Sequence, residues 1–400
     1  MTKQSTAPST PASGKVLEYI DANGILRSIN DQGVSWVVGN RDSYNWIRNS
    51  GFWHAQRQAP STLTTYSNTT GRSFTADGWA VTNENASVQY QRSDTATAVS
   101  TGQQARYFGN FTKITSTGKM IISQALISED ACNLRGQTVR LTFYLKNIVT
   151  SPATWRIGLV QLTAAGTVDT LPATFISAFG ANSTDPTLGT NLAYIAPLST
   201  QTGDNCTISG NGASCVVSST TTWTRYSALF VVPTTCLNLV AMLWSDSQAI
   251  ATAGISVSQV QLTSGYEVQV WSPQHFADEF RRCQRFYQKT FGNETGPIQS
   301  LGNNTGEMAG IAGKAGATAL GCQLFWRLSL PLWTTAAPTI TTFNPAAANN
   351  LMRDETAAVD TTVIAATAMG GVSVKFTATG NASTAVGNQI GIHATVDADF

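Results

Sequence analysis

The chain's 400 residues exceed what one hydrophobic core usually fills, so two or three structural units are expected. Charged residues make up only 12%, against roughly 25% in an average soluble protein, while apolar residues reach 42%, so the surface must be uncharged and polar. A net charge of +1 supplies no basic field for phosphates or anionic lipid, which argues against nucleic acid and membrane surfaces as partners.

No apolar run approaches the roughly 18–20 residues of a membrane span, and "MTKQSTAPSTPASGK" lacks the apolar core of a secretory signal. A soluble protein made in the cytoplasm is expected. The six cysteines show no CxxC or Cys/His metal spacing, and no cofactor or metal is expected. Most read as buried thiols, with Cys206 and Cys215 placed for a local bridge that a cytoplasmic origin disfavours.

Residues 1–14 hold Ser, Thr, Pro and Ala with almost nothing to bury and read as a flexible tether. Over 15–43, Asn23-Gly24 and Asp31-Gln32-Gly33 separate short β-rich runs, predicting a three-stranded meander. So small a unit should pack on copies of itself or on a partner. Across 44–270, "VRLTFYLKN", "WRIGLVQL", "TRYSALFVVP", "LNLVAMLW" and "GISVSQVQL" are apolar-alternating segments divided by turns. In the first, Leu141, Phe143 and Leu145 face one way and Thr142, Tyr144 and Lys146 the other, as in a sheet with one wet side. In the last, the apolar phase shifts from Ile255/Val257 to Val260/Leu262, predicting a bulge. Many strands without alternating helices make the fold all-β: a meander, a jelly-roll sandwich, a connecting helix and a smaller C-terminal β-sandwich.

The helix is expected over 271–292. Ser272 is placed to cap it, Pro273 to take the first position and Gly292 to end it. Phe276, Phe280, Cys283 and Tyr287 draw one apolar stripe, read as an interdomain docking surface. Residues 293–400 return to strand-like runs, "GCQLFWRLSLPLW", "PTITTFNP", "GVSVKFTATG" and "NQIGIHATVDADF", with a long loop over about 292–318.

At "ISVSQVQLTSGYEVQVWSPQHFADEFRRCQRFYQKTF" the sequence resembles bacteriophage tail-fibre and related virion appendage proteins. Those close a carbohydrate-binding-module-like jelly roll with a strand of the form "QVQLE-G" and follow it with a "CQRYY"-type helix and a C-terminal β-domain. The matching positions are Gln259-Val260-Gln261-Leu262-Thr263, Gly265, Glu279-Phe280 and Cys283-Gln284-Arg285-Phe286-Tyr287, with Thr263 for the usual Glu and Phe286 for the usual Tyr. "NWIRNSGFWHAQRQ" at 45–58, "WTRYSALFVVP" at 223–233, "APTITTFNP" at 337–345 and the terminal "IHATVDADF" are similar to further family patterns in the same order. The meander resembles a hairpin module near the start of phage fibres. The resemblance implies a homotrimeric or otherwise multi-copy virion protein, joined to other virion proteins through residues 1–43 and displaying β-domains toward host-surface glycans. Two other roles remain open: a structural head-fibre, collar or decoration protein binding only virion proteins, and a tailspike-like polysaccharide depolymerase.

Sugar sites use aromatic faces with Asn, Asp and Gln groups, which makes Trp155, Trp223, Trp244 and Asp246 the ligand-binding candidates. Core packing competes at each tryptophan, since large aromatics dominate cores; Trp244, beside Ser245 and Asp246 at a strand end, is the first to test. Trp326 and Trp333 flank strands of the terminal domain, and Trp53 reads as core. A hydrolase needs two carboxylates at set distances, and the scattered acids identify no pair. Glu129-Asp130 and Asp354-Glu355 read as solvated turn residues. His54, His275 and His393 lie far apart in sequence with no HExxH or nucleophile elbow nearby, so no catalytic residue is assigned and the chain is not read as an enzyme.

Overall fold

The computed structural model describes residues 8–9, 11–13, 15–20, 26–30, 35–37, 44–59, 62–67, 70–85, 87–94, 105–114, 117–149, 154–164, 168–198, 205–247, 252–266, 269, 271–302, 306–315, 319–333 and 337–399. Two compact units divide the chain, Met1–Tyr44 and Asn45–Phe400.

In the first unit, the strands Val16–Ile20, Leu26–Asn30 and Ser35–Val37 form an antiparallel three-stranded sheet in chain order, with Tyr19 opposite Arg27 and Arg27 opposite Val37. The turns foreseen at Asn23-Gly24 and Asp31-Gln32-Gly33, and most of the foreseen tether, lie outside the described residues.

The second unit is all-β apart from two short helices among the described residues. Its first part is a jelly-roll sandwich of two antiparallel sheets. One sheet runs, in spatial order, Thr224–Val231, Thr138–Asn147, Gly254–Ser264, Tyr107–Lys113, Val88–Asp94, Thr64–Tyr66. The facing sheet runs Thr207–Ile208, Cys215–Ser218, Thr154–Leu162, Leu239–Ser245, Met120–Leu126, Ala80–Asn83, Ser73–Phe74, with Leu192–Ile195 also paired to Thr154–Leu162. Alternation places Leu141, Phe143, Leu145, Ile157, Leu159, Leu243 and Val257 between the sheets in one core. The bulge foreseen in "ISVSQVQL" is present: the register slips so that Gln259 and Val260 together oppose Phe143, and Gln259 takes a positive φ of 49°.

A second, smaller core lies on the outer side of the Leu239–Ser245 sheet. Residues 168–198 fold over that face and bury Phe175, Ile176 and Phe179 against Ile121, Val160, Met242 and Trp244. One outer face of the sandwich is thereby roofed.

The helix spans Phe276–Gln284 and departs from expectation at both ends. It starts after His275, which is extended and makes no side-chain cap, and whose carbonyl accepts the first helical bonds from Asp278 and Glu279; upstream, Trp271 donates to Ser50 Oγ (3.3 Å). It stops before Tyr287 because residues Tyr287–Lys289 are captured as a strand beside Gln389–Asp397. Tyr287 therefore docks as a strand residue, and the buried helix positions are Glu279 and Cys283. Phe276 is 45% exposed and Phe280 half-buried, their rings 4.6 and 5.1 Å from the buried imidazole of His54. A further helix, Ser128–Leu134, takes up Glu129-Asp130 in its first turn, where a solvated turn was expected.

The remaining part is a β-sandwich. The central strand Gln389–Asp397 pairs with Tyr287–Lys289, Met308–Ile311, Thr339–Phe343 and Arg353–Asp354. Opposite stands a four-stranded sheet in the order Gly313–Ala315, Ala319–Arg327, Ser373–Thr379, Val363–Met369. Cys322, Leu324, Val374, Phe376, Ile390 and Ile392 fill the space between. Strands Met308–Ile311 and Gly313–Ala315 occupy what the sequence read as a long loop. Asp354, expected in a solvated turn, is fully buried and accepts hydrogen bonds from the Ala357 amide and from Asn388 Nδ2. No helix among the described residues is long and apolar enough to cross a membrane.

Candidate functional site

Three of the four sugar-binding candidates are enclosed. Trp155 points between the sheets, fully buried, and donates its indole N–H to Asn147 Oδ1 (3.0 Å). Trp244 points to the other side of its sheet but is covered by the 168–198 segment, its ring 5.9 Å from Tyr194 and packed so closely on Gly158 that a Cβ there would fall 2.7 Å from it. Asp246 is committed to structure: its carboxylate pairs with Arg156 Nε and accepts from Ser183 Oγ, while the same arginine binds Asp185 at 2.6 Å. Neither ring offers a face to a ligand. The reason is non-local, since the covering segment lies some fifty residues from Trp244 in the chain.

Trp223 is placed differently. Half-buried just before Thr224–Val231, it meets Phe108 edge to face with ring centroids 5.4 Å apart, on the outer side of the six-stranded sheet. The larger outward side chains around it are half-buried or exposed, whereas Arg140, Thr142, Gln261 and Thr263 further along the same sheet face are buried. Alternation fixes which side chains it presents. Lys146 stands opposite Ser256, Ser256 opposite Asn110 and Asn110 opposite Gln91, giving a polar row across four strands. Next to it, Tyr144 lies between Arg225 and Ser258, and Phe108 lies beside Ser93. The two serines of the central strand are small and buried, which leaves room above them for the larger rings at either side.

The polar groups are fixed in place. Ser256 Oγ donates to Asn110 Oδ1 (2.6 Å), Asn110 Nδ2 donates to Ser93 Oγ (2.7 Å), and Ser258 Oγ donates to the Tyr107 carbonyl (3.0 Å). Such a chain orients the asparagine amide and holds its neighbours in a single arrangement. Phe108, Tyr144, Trp223, Asn110, Gln91 and Lys146 are all half-buried, and Arg225 is exposed. The face thus combines three aromatic edges with hydroxyl, amide and cationic groups. The strand-end carboxylate Asp94, exposed and held by Arg106 at 2.9 Å, falls by the same alternation on the other side of the sheet.

Alternation had marked Tyr144 and Lys146 as solvent-facing. Phe108 and Asn110, in "YFGNFTK", carry the same signal but were not singled out. What the sequence could not show is that strands over a hundred residues apart set Phe108 against Trp223.

The histidines take no part in this face. His275 is exposed at the helix start, and His393 is buried with its ring stacked on Phe291 at 4.4 Å. His54 is buried among Phe276, Phe280 and Trp53's neighbourhood; burial, reinforced by the Arg92 guanidinium, pushes its imidazole down to about 4. Trp53 itself is half-buried over Phe276 at 6.0 Å, and the core place expected for it belongs to Phe52, stacked on Trp79 at 5.2 Å. Among the described residues no three His, Cys, Asp or Glu side chains gather in a way that could hold a metal ion. Cys132, Cys236, Cys283 and Cys322 are free thiols. Ile208, not Cys206, stands opposite Cys215, and the Cys206 thiol faces the Ser227 carbonyl at 3.0 Å.

No family model matches the chain, and no curated protein matches it either. Among solved structures it is similar to a protein of Bacteroides thetaiotaomicron VPI-5482 with a provisional sugar-binding designation, at 13% identity, TM-score 0.33, over 56% of this chain and 100% of that one. It is similar to the CBM22-1 and GH10 modules of Clostridium thermocellum xylanase 10B, at 12% identity and TM-score 0.28, over 54% of this chain and 30% of that one. A third likeness is to the enzymatically active domain of bacteriophage CBA120 tailspike protein 4, at 12% identity and TM-score 0.26, over 55% of this chain and 21% of that one. At TM-scores this low, none of the three bears on what this chain binds.

Proposed function

We propose that the protein is a non-enzymatic, multi-copy phage fibre component that adheres to host-surface glycans through the open face of its six-stranded sheet. The observation that supports this most is the Trp223–Phe108 pair set beside the ordered row Lys146, Ser256, Asn110 and Gln91. Pyranose rings present apolar C–H faces edged by hydroxyls. A surface that recognises them needs aromatic carbon flanked by pre-oriented donors and acceptors. Hydrolysis needs in addition a protonated and an ionised carboxyl group flanking one bond. Among the described residues the strand positions that form this face carry no Asp or Glu, which supports binding without cleavage. Virion location and homotrimeric assembly rest on the sequence resemblance alone.

The test is retention of the purified protein on host cells or immobilised surface polysaccharide, followed by sizing of the polysaccharide. Binding with unchanged chain lengths is expected. Trp223→Ala should weaken retention about three- to tenfold, in line with the loss of one aromatic contact. Shortened chains would establish a depolymerase, and no retention by the wild-type protein would leave a purely structural virion role. In sedimentation, a stable monomer of 42.5 kDa would refute the multi-copy assembly.

A further inference from the structure

The C-terminal β-sandwich carries a second surface with a different chemistry. In its four-stranded sheet the even-numbered residues Leu324, Val374, Phe376 and Ala378 face the core, so the odd-numbered ones face outward. Phe325 is thereby 61% exposed. Opposite it stands Lys375, with its ammonium 6.0 Å from the ring centroid. One step along the strand, Arg327 is exposed opposite Ser373. One step the other way, Gln323 and Thr377 line a groove of about 490 Å³ whose floor includes Gly313 and Gly321. From Gly321 to Arg327 this surface extends about 20 Å along the strand.

Among the described residues of this sheet face the charge has one sign. Across the strands, Lys375 is flanked by Phe325 and Thr367, and Arg327 by Ser373, so no carboxylate stands opposite either cation. In a chain with only 12% charged residues, two cations beside an exposed ring and a glycine-floored groove form a selective combination. A neutral glycan would use the ring and leave both cations without a counter-charge. A uronic-acid polymer offers both complements, since each sugar has an apolar ring face and a carboxylate on the same residue.

We propose that this face binds an acidic polysaccharide of the polyuronate class, with sugar rings on Phe325 and carboxylates at Lys375 and Arg327. This goes beyond the jelly-roll site and does not depend on it, because the two surfaces share no residue. The glycine floor supplies an independent probe. A Cβ on Gly313 would meet nothing closer than the Gly321 carbonyl at 4.0 Å, so Gly313→Val fills the groove without disturbing the sheet.

The full chain is tested for binding to polygalacturonate, alginate and hyaluronan, and to carboxyl-reduced polygalacturonate, by affinity electrophoresis at low and moderate salt. At least one polyuronate should be retained, the reduced polymer at least about tenfold less, and added salt should weaken the difference. Phe325→Ala, Lys375→Gln and Gly313→Val should each lower polyuronate affinity at least about fivefold. Trp223→Ala should leave it unchanged, which separates failure of this site from failure of the other. Melting curves confirm that each variant is folded; the exposure of Phe325 makes this the expected result. The proposal is overturned if no polyuronate is retained, if the reduced polymer binds equally, or if none of the three variants matters. A change in sedimentation of Phe325→Ala in place of a change in retention would also overturn it, by making the face a contact between copies of the chain.

Discussion

Replacing His54 by Phe should make the protein's stability less sensitive to acid, by an amount set by the burial of the imidazole. His54 is 2% exposed, with the rings of Phe276 and Phe280 against it. Burial, and secondarily Arg92, lowers its proton affinity from an ordinary 6.5 to about 4. In the unfolded chain the ring protonates near 6.5, so between 6.5 and 4 the unfolded state binds the extra proton and the folded state does not. Stability is therefore full above about pH 6.5 and falls as pH drops toward 4. A difference of roughly 2.5 pH units corresponds to about 3 kcal/mol at 1.36 kcal/mol per unit. Glu307 titrates in the same range with the opposite sign: burial, then Glu355, pushes its carboxyl up to about 7, so its contribution improves on acidification. The difference between His54→Phe and wild type isolates the histidine. Urea midpoints followed by tryptophan fluorescence at pH 7.5, 6, 5 and 4.2 should show the variant gaining on wild type by about 3 kcal/mol across the series. A difference that stays constant to within about 0.5 kcal/mol would refute the buried, neutral imidazole.

Thiol reactivity offers a direct check on the cysteines. A maleimide at pH 8 should label exposed Cys132 first, while Cys236, pushed up to about 12 by burial, and buried Cys283 stay unreacted until the chain is unfolded. Denaturant should then release six thiols; four would show that Cys206 and Cys215 are bridged after all. Asp399→Asn removes a carboxylate that binds Arg57 at 2.6 Å with its own side chain 2% exposed, leaving a buried cation short of charge. A loss of about 3–5 kcal/mol is expected by chemical denaturation, and a loss under about 1 kcal/mol would mean the pair is solvated. Asn45→Ala removes a buried amide that donates to the Val260 carbonyl (2.8 Å) and accepts from Leu262 N–H (3.0 Å) and Ile47 N–H (3.1 Å). Leaving those three backbone groups unsatisfied should cost about 3 kcal/mol or more, read as a lowered melting temperature; an unchanged melt contradicts the bonding scheme.

Period-two patterning made the fold class legible, because it is a local property that every strand repeats. The wet side of "TFYLK" and the bulge at Gln259 follow from the same counting. The helix was visible for its charge order and apolar spacing, but its limits were not. Tyr287 satisfies the helical stripe in sequence, yet pairing with Asp397, over a hundred residues later, takes it into a strand. Local propensity yields to a ladder that only the folded chain supplies. The same limit governs the site. A tryptophan at a strand end reads alike whether its face is open, as at Trp223, or roofed, as at Trp244, since the roof is a remote segment. Composition indicated a polar, hydrogen-bonding exterior but could not say which of two sheets would keep it.

Three of the stretches that carry the phage-fibre resemblance, 45–58, 255–291 and the terminal "IHATVDADF", meet in space. Up to Val257, the strand Gly254–Ser264 pairs with Tyr107–Lys113. The bulge at Gln259 then turns it to a new partner, the segment 45–50, through Trp46 N–H to the Leu262 carbonyl and Val260 N–H to the Ser50 carbonyl, both 3.0 Å. Asn45 closes the exchange from both sides with its amide. The same segment receives the helix, as Glu279 accepts from the Asn49 amide and Arg282 donates to the Trp46 carbonyl (3.1 Å). The stretch 45–58 also receives residues 397–399, as Arg48 binds Asp399 at 3.3 Å and Arg57 binds both Asp397 and Asp399. The residues named here answer requirements set by one another, so a substitution at one of them unsettles the others. The motifs specify how a jelly roll is joined to the β-sandwich behind it. The two faces proposed for recognition lie on outward sheet surfaces and share none of the residues of that joint.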